Sequence, residues 1–407
     1  MGALKIGRSG VARGSTARAP QPQCRRDGDE TTTQWSRDRN LAWRVELPGA
    51  AASTPIVWGD RIFLTSTVDE SDALLLMSFD RSGRLEWSRE IDRANSDKLP
   101  QRLAHETSPA SPSPATDGEY VWALFGTHTL VKVDLGGNEI WRVDLASRYG
   151  RVNNYFGLSM SPLLIENRLF LQLLHTDSQL VVALDAVSYA SPTAFNSTSG
   201  RAPQILIQGA DYITAHRFGD GAEVWRYGTL NPADNYDPTL RLVATPIAVE
   251  GTVIVPTAKR GPVFALRPEG FEGTIAHESA EIVWELDRGT PDVPSPLVFG
   301  GLVYLSGEKG RLTTLDFASG EVIYEERVHQ STHRASPVHA DGKIFLTATD
   351  GTVTVVRPGR EFEVLAKNDL GEYIAASPAI ADKTIYLRTY EALYAFTRDD
   401  VGAATAP

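Results

Sequence analysis

The chain has 407 residues, a formal net charge of −11 with a pI near 5.3, and one cysteine, Cys24. An acidic body speaks against nucleic acid as the main partner. A lone cysteine rules out a disulfide within the chain, and no apolar run reaches the roughly 18 residues of a membrane-crossing helix.

Residues 1–38 are rich in Gly, Ser, Arg, Pro and Thr, and are expected to be disordered or loosely draped, with solvated arginines. They contain no apolar stretch readable as a signal peptide and no lipidation motif. Cys24 lies among polar residues beside Arg25 and Arg26 and reads as a bystander thiol. Residues 40–48, NLAWRVELP, read as a strand ending a structural unit that has no opening of its own.

From there one pattern repeats. A Ser/Thr-Pro pair opens a short apolar run at Thr54-Pro55, Ser113-Pro114, Ser161-Pro162, Ser191-Pro192, Thr245-Pro246, Ser295-Pro296, Ser336-Pro337 and Ser377-Pro378. In the clearest copy, ASPVHADGKIFLTATDGTVTVV, the turns Asp341-Gly342 and Asp350-Gly351 separate alternating apolar runs, which predicts antiparallel hairpins. Proline suits the first residue of a strand, where no ladder donor is lost. The second half of each copy runs Asp, a turn with Gly, then an aromatic, as in SFDRSGRLEW to Trp87, KVDLGGNEIW to Trp141 and HRFGDGAEVW to Trp225. LDFASGEVIY places Tyr324 there, and a looser version ends at Trp284. These aromatics read as packing wedges between neighbouring units.

Two copies depart from the pattern. From Pro162 to Pro192 is 30 residues, against 41 from Pro296 to Pro337. After Asp185 the third copy reads AVSYA and lacks the Gly turn and the aromatic strand. It is therefore predicted to have three strands, leaving Gln179–Leu184 as an apolar edge, with Leu180–Leu184 open to strand pairing with a partner. The last copy reaches LYAF at Leu393–Phe396 and stops, so residues 40–48 are expected to supply its fourth strand.

Units of four strands at a period of roughly 40–50 residues are β-propeller blades. The expectation is an all-β, eight-bladed propeller of four-stranded antiparallel blades over residues 39–398, closed by the N-terminal strand, with a flexible tail at 399–407.

Motifs that carry chemistry are scarce. The sequence has no phosphate loop, no His-Glu-x-x-His and no Cys-x-x-Cys. Gly157–Ser161 misses the nucleophile-elbow pattern at its last residue. His329 and His333, four apart in extended chain, lie about 13 Å apart and are expected to be solvent-exposed rather than to share a metal. Asn196-Ser197-Thr198 is a glycosylation sequon, which matters in a eukaryotic secretory setting. Residues just before each opening converge on one face of a propeller. This set, His105, Glu106, Asn154, Tyr155, Arg241, Asp292, Arg334 and Tyr373, mixes charge and aromatics as ligand sites do.

The Asp-x-x-Gly-x-x-x-Trp half and the Ser-Pro-x-x-x-Asp-Gly half together resemble the pyrroloquinoline-quinone-like (PQQ-like) β-propeller repeat family. The resemblance covers about residues 40–397 and is carried best by SPLVFGGLVYLSGEKGRLTTLDFASGEVIY and ASPVHADGKIFLTATDGTVTVV. It implies an eight-bladed fold and a bacterial protein of exported, periplasmic or other extracytoplasmic setting. The family includes quinoprotein dehydrogenases, a scaffold lipoprotein of outer-membrane barrel assembly, and many non-enzymatic members. Its enzymes carry a vicinal Cys pair and a Ca²⁺ held by Glu, Asn and Asp. The Cys pair is missing from this sequence, and no calcium set can be matched to it residue by residue. The leading expectation is a non-catalytic binding or scaffold module without a cofactor, its partner a protein or a small ligand. A PQQ- and Ca-dependent oxidoreductase is the alternative by resemblance, and a carbohydrate or peptide binder is a third reading.

Overall fold

A computed structural model of the chain describes residues 31–95, 99, 108–151, 158–165, 168–173, 190–209, 211–228, 230 and 242–398. The described residues form eight sheets and one short helix, Leu145–Tyr149. Among the described residues no helix is long and apolar enough to cross a membrane.

All eight Ser/Thr-Pro openings lead directly into a strand, which starts at the residue after the proline, from Ile56 in the first copy to Ala379 in the last. The missing proline N–H therefore falls outside the ladder. Six sheets have four antiparallel strands, as expected of propeller blades. In the seventh copy Val338–Ala340 pairs with Lys343–Thr347 across Asp341-Gly342, whose φ values of 52° and 65° give the primed turn that matches strand twist.

The last sheet joins both ends of the chain. Leu41–Glu46 pairs antiparallel with Ala392–Phe396, with Val45 opposite Leu393. The segment before it is docked from Thr31 onward, so the expectation of a loose segment up to residue 38 needs correction for residues 31–38. Trp35 is buried between Phe345 and Phe396, its amide donating to Asn368 Oδ1 at 2.9 Å. An indole that can bury its whole ring in this seam outweighs the polar composition around it. Arg37 and Tyr394 both reach Glu372, at 2.8 and 2.5 Å, and fix the segment to the last sheet.

The fourth copy has an addition that the sequence pattern did not suggest. Gly273–Ile275, from the insertion in the fifth copy, runs parallel to Glu223–Tyr227 and extends its sheet to five strands. Of the third copy, Leu163–Ile165 and Arg168–Phe170 are described as a two-stranded sheet. The proposed edge Gln179–Leu184 lies outside the described residues.

The core lies between sheets. Phe63 of the first copy packs with Val121 and Val131 of the second. Ile62, Leu64 and Phe79 of the first pack with Tyr386 and Leu393 of the last. The Asp-turn-Gly-aromatic pattern has a mechanical explanation at these seams. The aspartate accepts amides of its own turn, as Asp80 does from Ser82 at 2.9 Å and Arg84 at 3.0 Å. Those bonds, led by the Ser82 hydroxyl, hold the Asp80 carboxyl down at about 2. The turn then receives the tryptophan of the preceding copy. Trp87 donates its indole N–H to Leu135 O at 2.9 Å and lies on Gly137, where a Cβ would come within 2.7 Å of the ring. Trp43 docks likewise on Arg81 and Gly83, and Trp284 on Phe317 and Gly320. Trp141 holds the same position in the second copy, and it is 36% exposed, against 8% for Trp87.

Candidate functional site

The eight openings meet at one cavity of about 300 Å³, and every opening Ser or Thr lines it. Their side chains are linked in chain order. The amide of Thr54 donates to Ser113 Oγ at 2.9 Å, Ser113 to Ser161 at 3.0 Å, and Ser161 to Ser191 at 3.2 Å. Ser191 donates to Thr245, Thr245 to Ser295, Ser295 to Ser336 and Ser336 to Ser377, each at 3.0 Å. The hydroxyl thus has a structural role that turn punctuation alone does not explain. It takes up the amide that the preceding copy exposes just before its proline. The residue need only be a small hydroxyl acceptor, which is why Ser and Thr interchange.

A second layer of buried polar side chains sits at the end of the second strand of several copies. Gln172 donates to Gln208 O at 2.7 Å, and Gln208 to Pro256 O at 2.5 Å. Arg388 occupies the same place in the last copy and reaches forward to Thr65 O and to Ser53 Oγ at 2.6 Å in the first. Its burial pushes the guanidinium down to about 9.

Of the residues expected at the funnel, Arg334 and Tyr373 line the cavity. Asp292 is not at the rim as expected. Its side chain is fully buried behind Arg334, at 3.9 Å from the guanidinium. A buried carboxylate needs positive neighbours, and Lys259, at 3.6 Å, supplies a second. Glu308 completes the group, 3.8 Å from Arg334 and in direct contact with Lys259. His105, Glu106, Asn154, Tyr155 and Arg241 lie outside the described residues. Lys259 and Glu308 escaped the sequence reading because they sit in the turns after the second strands, far in sequence from the openings.

His329 and His333 diverge. His329 bonds Asp350 at 2.7 Å, whereas His333 is not solvent-exposed as expected. A bridge to Ala348 carries it into the seam, where it faces Ser306 Oγ at 3.0 Å. Burial pushes His333 down to about 4.

The quinone and calcium of the dehydrogenases can be tested against this wall. Among the described residues no carboxylate lines the cavity, and no group of three or more His, Cys, Asp or Glu is placed to hold a metal. The one cysteine cannot form a vicinal pair. These residues do not fit the group, and no chemical step is derived through it.

A family model described as "Outer membrane protein assembly factor BamB" matches residues 24–189 and 272–400. Among curated proteins, the assembly factor of that name from Vibrio cholerae is 30% identical over 142 residues, 32% of each chain. That from Marinobacter adhaerens is 26% identical over 117 residues, 28% of this chain and 29% of the relative. The matched stretch thus spans about a third of the curated relatives' length. Among solved structures, the quinohemoprotein alcohol dehydrogenase of Comamonas testosteroni superposes with a TM-score of 0.58 at 12% identity, covering 89% of this chain and 78% of that one. The computationally designed Ika8 protein gives 0.57 at 11% identity, covering 91% and 100%. At such identities the likeness speaks for the fold alone.

Proposed function

Because the chain belongs to the family described as outer membrane protein assembly factor BamB, we propose that it is a non-catalytic binding module. In this reading it is a closed, eight-bladed β-propeller in an extracytoplasmic setting, and it receives a protein partner at its funnel. One observation carries the proposal. The eight openings surround a single cavity and are joined by amide-to-hydroxyl bonds from Thr54 to Ser377. Such a rigid rim presents side chains from every copy to one ligand, and rigid rims suit recognition. The sharing of the last sheet by both chain ends supports closure, because it leaves the first and last copies no free seam.

Site-specific photo-crosslinking tests the reading. A photoreactive residue at Tyr373, on the cavity wall, is expected to trap a defined envelope protein. The same residue at Trp58, at the far end of the first inner strand, is not. Equal trapping from both positions would reject the funnel as the binding face. Dye-linked dehydrogenase activity on adding the quinone with Ca²⁺ would reject the non-catalytic reading.

A further inference from the structure

We propose that residues 31–37 form a releasable strap that positions the funnel wall, with Arg37 and Glu372 as the link. The inference rests on the reading of the funnel as the binding face and adds a control on that face.

The strap fills a seam that lacks an aromatic of its own. In the first copy Trp87 stands opposite Ser78, beside the bulge in that sheet. The same place in the seventh copy, opposite Val355, holds Ala366. Trp35 supplies the missing ring from outside the repeat, 3% exposed and clustered with Phe345, Ala366 and Phe396. The described bonds that hold residues 31–37 to the sheets run through side chains. The Thr31 amide donates to Asp341 Oδ2 at 2.6 Å, the Trp35 amide to Asn368 Oδ1 at 2.9 Å, and Asn368 Nδ2 to Thr33 O at 3.1 Å. The segment is thus docked beside the last two sheets rather than woven into a ladder, and it can leave without breaking a strand.

The far end of the strap is tied to the funnel. Arg37 donates to Leu370 O and to Glu372 Oε1, both at 2.8 Å. The buried Glu372 carboxylate also receives Tyr394 at 2.5 Å and Thr389 at 2.6 Å, with Arg44 farther off at 3.5 Å. Glu372 leads into the stretch that carries Tyr373, Ala375 and Ser377, three residues of the cavity wall. When the strap leaves, the carboxylate loses the cation that is hydrogen-bonded to it. A buried charge short of a counter-charge turns toward water or takes up a proton. Either change falls on the residue next to Tyr373. A segment docked on the outside of the ring therefore sets the order of a wall on its inside. Whatever draws residues 31–37 off the seam loosens that wall, and by linkage a ligand that orders the wall tightens the strap.

Hydrogen exchange read by mass spectrometry on the full chain tests the link and needs no ligand. Arg37→Ala and Trp35→Ala should each speed exchange at the amides of residues 371–376 by about tenfold or more. Trp87→Ala is the control. It removes a seam aromatic of the same kind between the first two copies, and it should leave residues 371–376 within about twofold of the parent chain. If Trp35→Ala fails to fold, Arg37→Ala decides, because that side chain is 54% exposed. Unchanged exchange in Arg37→Ala, or equal acceleration by Trp87→Ala, would overturn the proposal. Trapping of a partner at Tyr373 alongside unchanged exchange would sink this inference alone and leave the funnel reading standing. Accelerated exchange without trapping at Tyr373 would support the strap and reject the funnel as the binding face.

Discussion

Arg388, on the second strand of the last copy, donates to the backbone carbonyl of Thr65 in the first. Gln172 and Gln208 do the same job at two successive seams, from the corresponding position to the next copy forward. The arginine is completely buried and meets hydroxyls and carbonyls, with no carboxylate partner among the described residues. A buried charge without a counter-charge is a poor source of stability. Arg388→Gln is therefore expected to hold urea stability within about 1 kcal/mol of the parent chain or to raise it. Arg388→Ala, which orphans Thr65 O and opens a void, should cost about 2–4 kcal/mol. A glutamine variant as unstable as the alanine variant would mean that the charge itself is required.

The aromatic seams differ in a way that substitution can read. Trp87 is sealed on Gly137, whereas Trp141 is half open. Trp87→Ala should lower stability by about 3–5 kcal/mol, as a buried aromatic does, and Trp141→Ala by about 1 kcal/mol or less. Equal losses in chemical denaturation would show that Trp141 has a receiving surface of its own.

His333 gives the fold an acid limit. Its pKa falls from 6.5 to about 4 on folding because burial disfavours the imidazolium. Between those values the unfolded chain binds the proton and the folded chain does not, so stability is full above pH 6.5 and declines toward pH 4. The loss for this residue is about 3 kcal/mol. Buried His216 and half-buried His339 shift in the same direction and add to the slope. Urea melts of the parent and of His333→Gln at pH 7 and pH 4.5 should show a shallower decline for the variant. Parallel curves would remove His333 as the cause.

The N-terminal segment makes two separable contributions. Trp35→Ala empties an aromatic site between the last two copies and should cost about 3–5 kcal/mol. Deleting residues 1–49 also strips the partner strand from Leu393–Phe396 and should destabilise the chain further and promote self-association. A truncated chain that stays monomeric and as stable as Trp35→Ala would show the last sheet to be sufficient with three strands.

The repeat and its hairpins were legible because each depends on local chemistry, and the shared last sheet because the two ends of the repeat show complementary gaps. A proline marks a strand start, Asp-Gly a primed turn, and the Asp-to-Trp spacing a docking surface. Trp35 was not legible, because its burial depends on Phe345 and Phe396, more than 300 residues away. Arg334 and Tyr373 were found from their place before an opening, but the same rule put Asp292 at the rim, although it is buried behind Arg334. Position in a loop says which face a residue is near, not whether it turns inward. The hydroxyl linkage was hidden for another reason. Ser and Thr before proline look like ordinary turn residues, and their partners lie one whole copy away.

The shared last sheet also sets an order of events in time. Leu41–Glu46 is made more than 300 residues before its partner, Ala392–Phe396. At cellular synthesis rates of roughly 5–20 residues per second, the wait is some tens of seconds. Until then the early strand is an unpaired edge, and the middle copies can fold around it before it is engaged. The last sheet is therefore completed only when Ala392–Phe396 arrives, and a chain interrupted before that strand would leave Leu41–Glu46 without its partner as well.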